Sequence, residues 1–397
     1  MHSRRRAGGA ALSLLVAGLV AAVAAPAAAA VPDGAVRAAV PDAAALTEAV
    51  TGKLLAIATP ARVPAASQTR VTVSRRAAGW AFGTAVALAP RETDAHPTGA
   101  VFVAHAEHGA WRVAFDGDVD FGALATASPL VTSREKVVLG SEPAPLYAGG
   151  DYRTGMALPF AVGQTWTLTG GPHGWGGGES PYSSVDLAGG DQVVRAARAG
   201  TAYTMCQGWI RVIHDRGYAT DYYHLWNNIS VNGASVAQGA FLGYTGTDVT
   251  CGGAASGRHV HFGLRQDGAY VPIAGHDIGK WVFANGAGAY QGGARHGSAW
   301  VGAGGALHNF GALGLNQGVV DANGGGTLTR RAGPGTGYAA LGSLADGATV
   351  TISCSANGTT HTGRYGTTAL WDRLSDGSWV SDAYLWTGVN GPVNGWC

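Results

Sequence analysis

Five residues in the middle of the chain have the types that metal-assisted hydrolysis needs. His173 and Asp186 lie in "GGPHGWGGGESPYSSVDLAGG", His224 in "TDYYHL", and His259 and His261 in "GRHVHFGL". One imidazole from a glycine-rich loop, one carboxylate at a strand end and one imidazole of the His-x-His pair make three protein ligands. Three ligands leave a fourth position open for water, the pattern of a catalytic zinc; a structural zinc is closed by four, usually including thiolates. The pair alone is weak evidence, because 13 histidines in 397 residues give about 0.4 such pairs by chance. On a strand, alternate side chains share a face. His259 and His261 then point one way, and Val260 and Phe262 enter a core. His259 lies about 7 Å along from His261, near the site without being an obvious co-ligand.

These residues need a rigid frame. Residues 156 to about 311 read as short strands divided by glycine-rich turns. "WIRVIHDRGYATDYYHL" is a hairpin turning at Asp215-Arg216-Gly217, and "HVHFGLRQDGAYVPI" turns at Gln266-Asp267-Gly268. The first hairpin puts His224 on a strand, on the face of Tyr222. His214, Asp215 and Asp221 are rival ligands, but His214 and Asp215 sit at the hairpin turn, where polar residues gather. Asp191 reads as a turn residue, and His276, His296 and His308 have no partner motif.

Upstream, "PDAAALTEAVTGKLLAIA" fits a short helix. "TRVTVSR", "GWAFGTAVAL", "AVFVAHA" and "AWRVAFDG" fit strands, with Trp80, Phe82, Phe102, Trp111 and Phe115 for a modest core. The turn-rich stretch near 126–155 reads as a linker. From about 318 the spacing gives four or five short strands, enough for a small barrel. The expected fold class is mainly β: an antiparallel sheet domain with long loops, a small α+β segment before it and a small barrel after it.

Only 13% of residues are charged, glycine numbers 64, and the net charge is +1. Nothing there argues for nucleic acid or a strongly acidic partner. "MHSRRR" followed by an alanine-rich apolar run, ending at Ala28-Ala29-Ala30, reads as a removed signal peptide covering 1–30. A secreted chain without a later membrane span is expected. Four cysteines in an exported chain point to disulfides. Of three possible connectivities, the domain division favours Cys206–Cys251 and Cys354–Cys397.

The order His…Asp, then Tyr-x-His, then His-x-His resembles the lysostaphin-type zinc endopeptidases of bacterial cell walls. It is most similar to their β-lytic and staphylolysin branch. "GPHGWGG", "PYSSVDLAGG", "TDYYHL" and "GRHVHF" carry the resemblance over about 156–311. The proline usual before His-x-His is Arg258 here, a position with no ligand role. The resemblance implies that His173, Asp186 and His261 hold one zinc ion, with His224 and His259 catalytic outside the ligand set. It implies cleavage of glycine-containing peptide bonds in bacterial peptidoglycan by a monomer, with Trp175, Tyr182 and Trp209 as candidate groove walls. The division expected is a signal peptide at 1–30, a propeptide-like domain and linker at 31–150, a zinc peptidase at 151–311, and a cell-wall-binding domain at 318–397. That last segment resembles bacterial SH3-like domains through "TRRAGPGTGY" and "WDRLSDGSWVSDAYL". The rival expectation is a non-catalytic wall-binding protein with a peptidase-like fold. Such relatives usually lose a ligand or a catalytic histidine, and here all five positions are filled.

Overall fold

Alternation of apolar and polar residues organises the middle of the chain into one antiparallel sheet. Its strand order is Asn232–Val236, Gly200–Cys206, Trp209–Ile213, Tyr218–Tyr223, Val260–Gln266, Ser184–Ala188, Thr165–His173 and Ala306–His308, with Ala269–Tyr270 pairing on Val260–Gln266. Both expected hairpins form. The computed structural model describes residues 41–57, 68–91, 95–141 and 150–397, within one unit running from Val40 to Cys397. The signal-peptide reading of 1–30 falls outside the described residues.

One face of the sheet buries Leu187, Ile210, Val212, Tyr222, Val260, Phe262 and Leu264 in a single core. Val260 and Phe262 therefore enter the interior, as the pattern of the strand requires. The opposite face carries Tyr203, Trp209, Tyr223 and His261, and the folded segment ahead of residue 142 covers it.

That segment has the expected helix, Ala43–Ile57, and the four expected strands, Thr69–Ala77, Trp80–Ala87, Thr98–Glu107 and Ala110–Phe115, in sequential antiparallel order. Its two central strands are apolar almost throughout because both faces are covered. Ala81, Ala85, Ala100 and Phe102 pack on the helix. Phe82, Val86, Val101 and Val103 share a cluster with Trp175, Tyr203, Trp209 and Tyr223. The stretch read as a linker near 126–155 is shorter than expected. Helices Phe121–Ala127 and Ser133–Leu139 extend the folded segment, the second started by a capping box between Thr132 and Glu135. Residues 142–149 lie outside the described set. No helix among the described residues is long and apolar enough to cross a membrane.

The two expected disulfides are present, Cys206–Cys251 and Cys354–Cys397. The second ties the last residue into a seven-stranded antiparallel sheet built from Gln317–Val320 to Leu385–Trp386. Trp371 is buried there, as a barrel's own core residue, whereas Tyr338 is 50% exposed.

A smaller five-stranded sheet contains Asp277, whose burial pushes its carboxyl up to about 8 against the opposing pull of Lys280. The unfolded carboxyl titrates near 3.9, so between those values the folded state holds one more proton. Stability then falls as pH rises. Asp277→Asn removes this contribution. The stability of the wild type relative to the variant is expected to drop by about 1.4 kcal/mol per pH unit between pH 5 and 7. The neighbouring His276, which burial lowers to about 4, contributes to both proteins and cancels. Denaturant unfolding of both at three pH values measures the difference, and parallel profiles would contradict it.

Candidate metal centre

Three neighbouring strands bring the candidate ligands together. His261 and Asp186 are direct partners across the Val260–Gln266 and Ser184–Ala188 strands, where opposed side chains stand close enough to share an ion. His173 ends the next strand. Opposite Asp186 is Gly170, where a Cβ would come within 2.5 Å of Asp186 Oδ2. The glycine leaves the carboxylate its space. Gly263, two residues past His261 on the same face, does the same for the Trp175 ring, which a Cβ would meet at 2.8 Å.

The donor atoms converge. His261 Nδ1 lies 2.9 Å from Asp186 Oδ1 and 3.2 Å from His173 Nε2, and His173 Nε2 lies 3.5 Å from Asp186 Oδ1. Bonds of 2.0–2.2 Å at tetrahedral angles put donors about 3.4 Å apart, so this triangle fits one small cation. Among the described residues, these three form a group that could hold a metal ion. Burial and the neighbouring imidazoles hold His261 well below the usual histidine range, which keeps it neutral, the form a metal requires.

Backbone carbonyls set the tautomers of the other imidazoles. His173 Nδ1 faces the Gly171 carbonyl at 2.7 Å, His259 Nδ1 the Gly257 carbonyl at 2.7 Å, and His224 Nδ1 the Asp248 carbonyl at 2.9 Å. A carbonyl only accepts, so each Nδ1 carries the proton and each neutral ring has its lone pair on Nε2. His259 Nε2 lies 3.7 Å from Asp186 Oδ1, beside the triangle and outside it, and the His224 and His259 rings are 4.8 Å apart. Burial, with His259 adding to it, lowers His224 to about 4.

His224 reaches the site by a route that differs from the expected one. The strand ends at Tyr223, and His224 has φ of +67°. This left-handed turn breaks the alternation. His224 therefore leaves the face of Tyr222 and packs at 4.3 Å on Tyr223. The loop that holds its Nδ1 also carries Cys251, so the Cys206–Cys251 disulfide braces this corner. His259 likewise stands one residue ahead of its strand, bridged to Gly246.

The rival ligands are elsewhere. His214 is buried between the Ala199 carbonyl and Thr220 Oγ1. Asp221 holds Arg211 through two 2.9 Å contacts and accepts from Trp209 Nε1 and Tyr270 Oη. Asp215 pairs with Arg198, and Asp191 accepts from the Val193 amide in a turn. Of the candidate groove residues, Trp175 stands 4.8 Å from the His261 ring. Trp209 is fully buried 5.5 Å from Trp175, and Tyr182 is half-buried with its carbonyl bonded to Ile273. Tyr290, not singled out from sequence, stacks on His173 at 3.9 Å.

Sequence reasoning also missed His96. Its Nε2 lies 3.0 Å from His224 Nε2, and its ring stacks on His261 at 4.2 Å and 11°. A single histidine before a proline, far upstream in the chain, carries no motif that could have found it.

Residues 180–273 match the model of peptidase family M23. Over 137 residues the chain is 34% identical to Protease LasA of Pseudomonas aeruginosa, covering 32% of each protein. It thus spans about a third of that relative's length. Beta-lytic metalloendopeptidase of Lysobacter enzymogenes is 28% identical over 131 residues, covering 30% of this chain and 74% of that protein. Among solved structures, a novel M23 metalloprotease, pseudoalterin, from the deep sea is 31% identical. It aligns over 38% of this chain and 97% of its own, with a TM-score of 0.36.

Proposed function

Because this chain belongs to peptidase family M23, with residues 180–273 carrying the match, we propose that it is a secreted zinc endopeptidase that cuts glycine-containing peptide bonds of bacterial peptidoglycan. The observation that carries the reading is the His173, Asp186 and His261 donor triangle, with the His224 and His259 rings beside it. In this reading His173 Nε2, Asp186 Oδ1 and His261 Nδ1 hold the zinc. When bound, the ion supplies Lewis acidity to an attacking water and to the scissile carbonyl.

The remaining steps belong to the protein. His259, with its lone pair on Nε2 beside Asp186, takes the proton of the attacking water and returns it to the leaving amine. His224 hydrogen-bonds the water or, once protonated, the carbonyl oxygen as negative charge develops there. The carbonyls of Gly257 and Asp248 keep both rings aimed. Trp175 and Tyr290 flank the ligands, and their bulk favours substrate residues without side chains over large ones. The segment from about 318 to 397 serves as a wall-binding module that raises the local enzyme concentration.

The test uses the full chain with a protease site placed in 142–149, cleaved, separated from the N-terminal fragment and loaded with zinc. Hydrolysis of pentaglycine or of purified peptidoglycan peptides is expected, lost with a chelator and restored by zinc. A cleaved protein that binds one zinc and hydrolyses neither substrate would instead be a wall-binding protein with a peptidase-like fold.

A further inference from the structure

We propose that His96, carried by the segment that covers the site, disables it by taking the Nε2 lone pair of His224. The proposal rests on the reading of His224 as a residue of the peptidase site.

His96 stands inside the site. Rings of His224, His261, Trp175 and Tyr223 surround it at 5.1, 4.2, 5.7 and 5.6 Å. The 3.0 Å contact joins two Nε2 atoms, and only one of them can carry the proton. His224 Nδ1 already donates to the Asp248 carbonyl, so His224 Nε2 is the acceptor and His96 Nε2–H the donor. The lone pair that His224 would offer to water or substrate is thereby taken. The His96 ring also lies flat on His261, across space that a substrate would use.

The backbone around His96 is fastened on both sides. Trp175 Nε1 donates to the Pro97 carbonyl at 2.8 Å, the Gly253 amide to the Pro90 carbonyl at 3.0 Å, and the Ala89 amide to the Cys251 carbonyl at 3.0 Å. Arg211, fully buried in the peptidase sheet, reaches Asp116 Oδ2 and the Gly99 carbonyl, each at 2.9 Å. Glu135 accepts from Tyr203 Oη at 3.2 Å and holds Arg75 by two 2.7 Å bonds. With the shared apolar cluster, these contacts make a fitted surface over the site. Arg211 keeps its paired bonds to Asp221 without the segment, so release would not strand a buried charge.

The experiment reads His224 directly, without relying on turnover. The metal-free full-length chain is treated with diethyl pyrocarbonate, which attacks the free lone pair of a neutral imidazole. Modification of His224 is followed by peptide mass spectrometry, with the exposed His108 as internal reference. Intact wild type is expected to modify at His224 at least about tenfold more slowly than His96→Ala, the scale of one buried hydrogen bond. His96→Gln, which keeps an N–H donor and much of the ring's bulk, is expected to stay protected and shows that loss of protection in the alanine variant is not general unfolding. Equal His224 reactivity in wild type and His96→Ala would overturn the proposal. Failure of peptide hydrolysis by the cleaved, zinc-loaded chain is a separate result and would remove the peptidase reading instead.

Discussion

Asp186→Asn is expected to weaken zinc binding by more than about 100-fold, beyond the loss typical of groups that only orient ligands, and to lower hydrolysis with it. Asp186 is the hub of the site. Its Oδ1 lies 2.9 Å from His261, 3.5 Å from His173 and 3.7 Å from His259. The amide has nearly the same shape but no charge, so it leaves a dication with two neutral imidazoles. Gly170 has room for either side chain, which limits the structural damage. Competition with a chromophoric chelator measures the affinity of the cleaved protein. Partial recovery of activity in excess zinc is expected. Activity lost at full zinc occupancy would contradict the ligand role.

The second large effect separates the remaining histidines from the ligands. His259→Ala and His224→Ala are each expected to lower kcat by about 10²–10⁴, the range for a removed proton-transfer group, with zinc retained. Their rings are 4.8 Å apart and, in the proposed mechanism, serve one reaction centre. The double variant is therefore expected to fall well short of the product of the two losses. Steady-state kinetics of the cleaved single and double variants decide the matter. Strictly multiplicative losses would mean that the two rings act independently.

Much of this site was legible because strand alternation is a local property. "HVHFGL" put Val260 and Phe262 in the core and left His261 on the other face, and the structure agrees. Both hairpins were legible from their turn residues. The pairing of His261 with Asp186 was not, since register between strands far apart in sequence is set by the whole sheet. His224 shows the limit of alternation. One residue at positive φ moved it to the opposite face, and a histidine gives no hint of that conformation as a glycine would. Asp221 looked like a rival ligand from its type alone. Its partner across the hairpin is Arg211, and the pair forms a buried ionic link to Asp116. Trp80–Ala87 and Thr98–Glu107 read as strands, but their burial on both faces was not legible, because the surface that covers the second face comes from elsewhere in the chain. For the same reason His96 remained hidden, as its meaning depends entirely on what it is folded against.

The most direct measurement of the central claim is zinc retained per chain after gel filtration, compared for the cleaved wild type, His259→Ala and His261→Ala. One equivalent is expected in the wild type and in His259→Ala, and a small fraction of an equivalent in His261→Ala. If His259→Ala loses zinc as completely as His261→Ala, the two histidines of "GRHVHFGL" share one task, and the division between a metal ligand and a proton carrier is wrong.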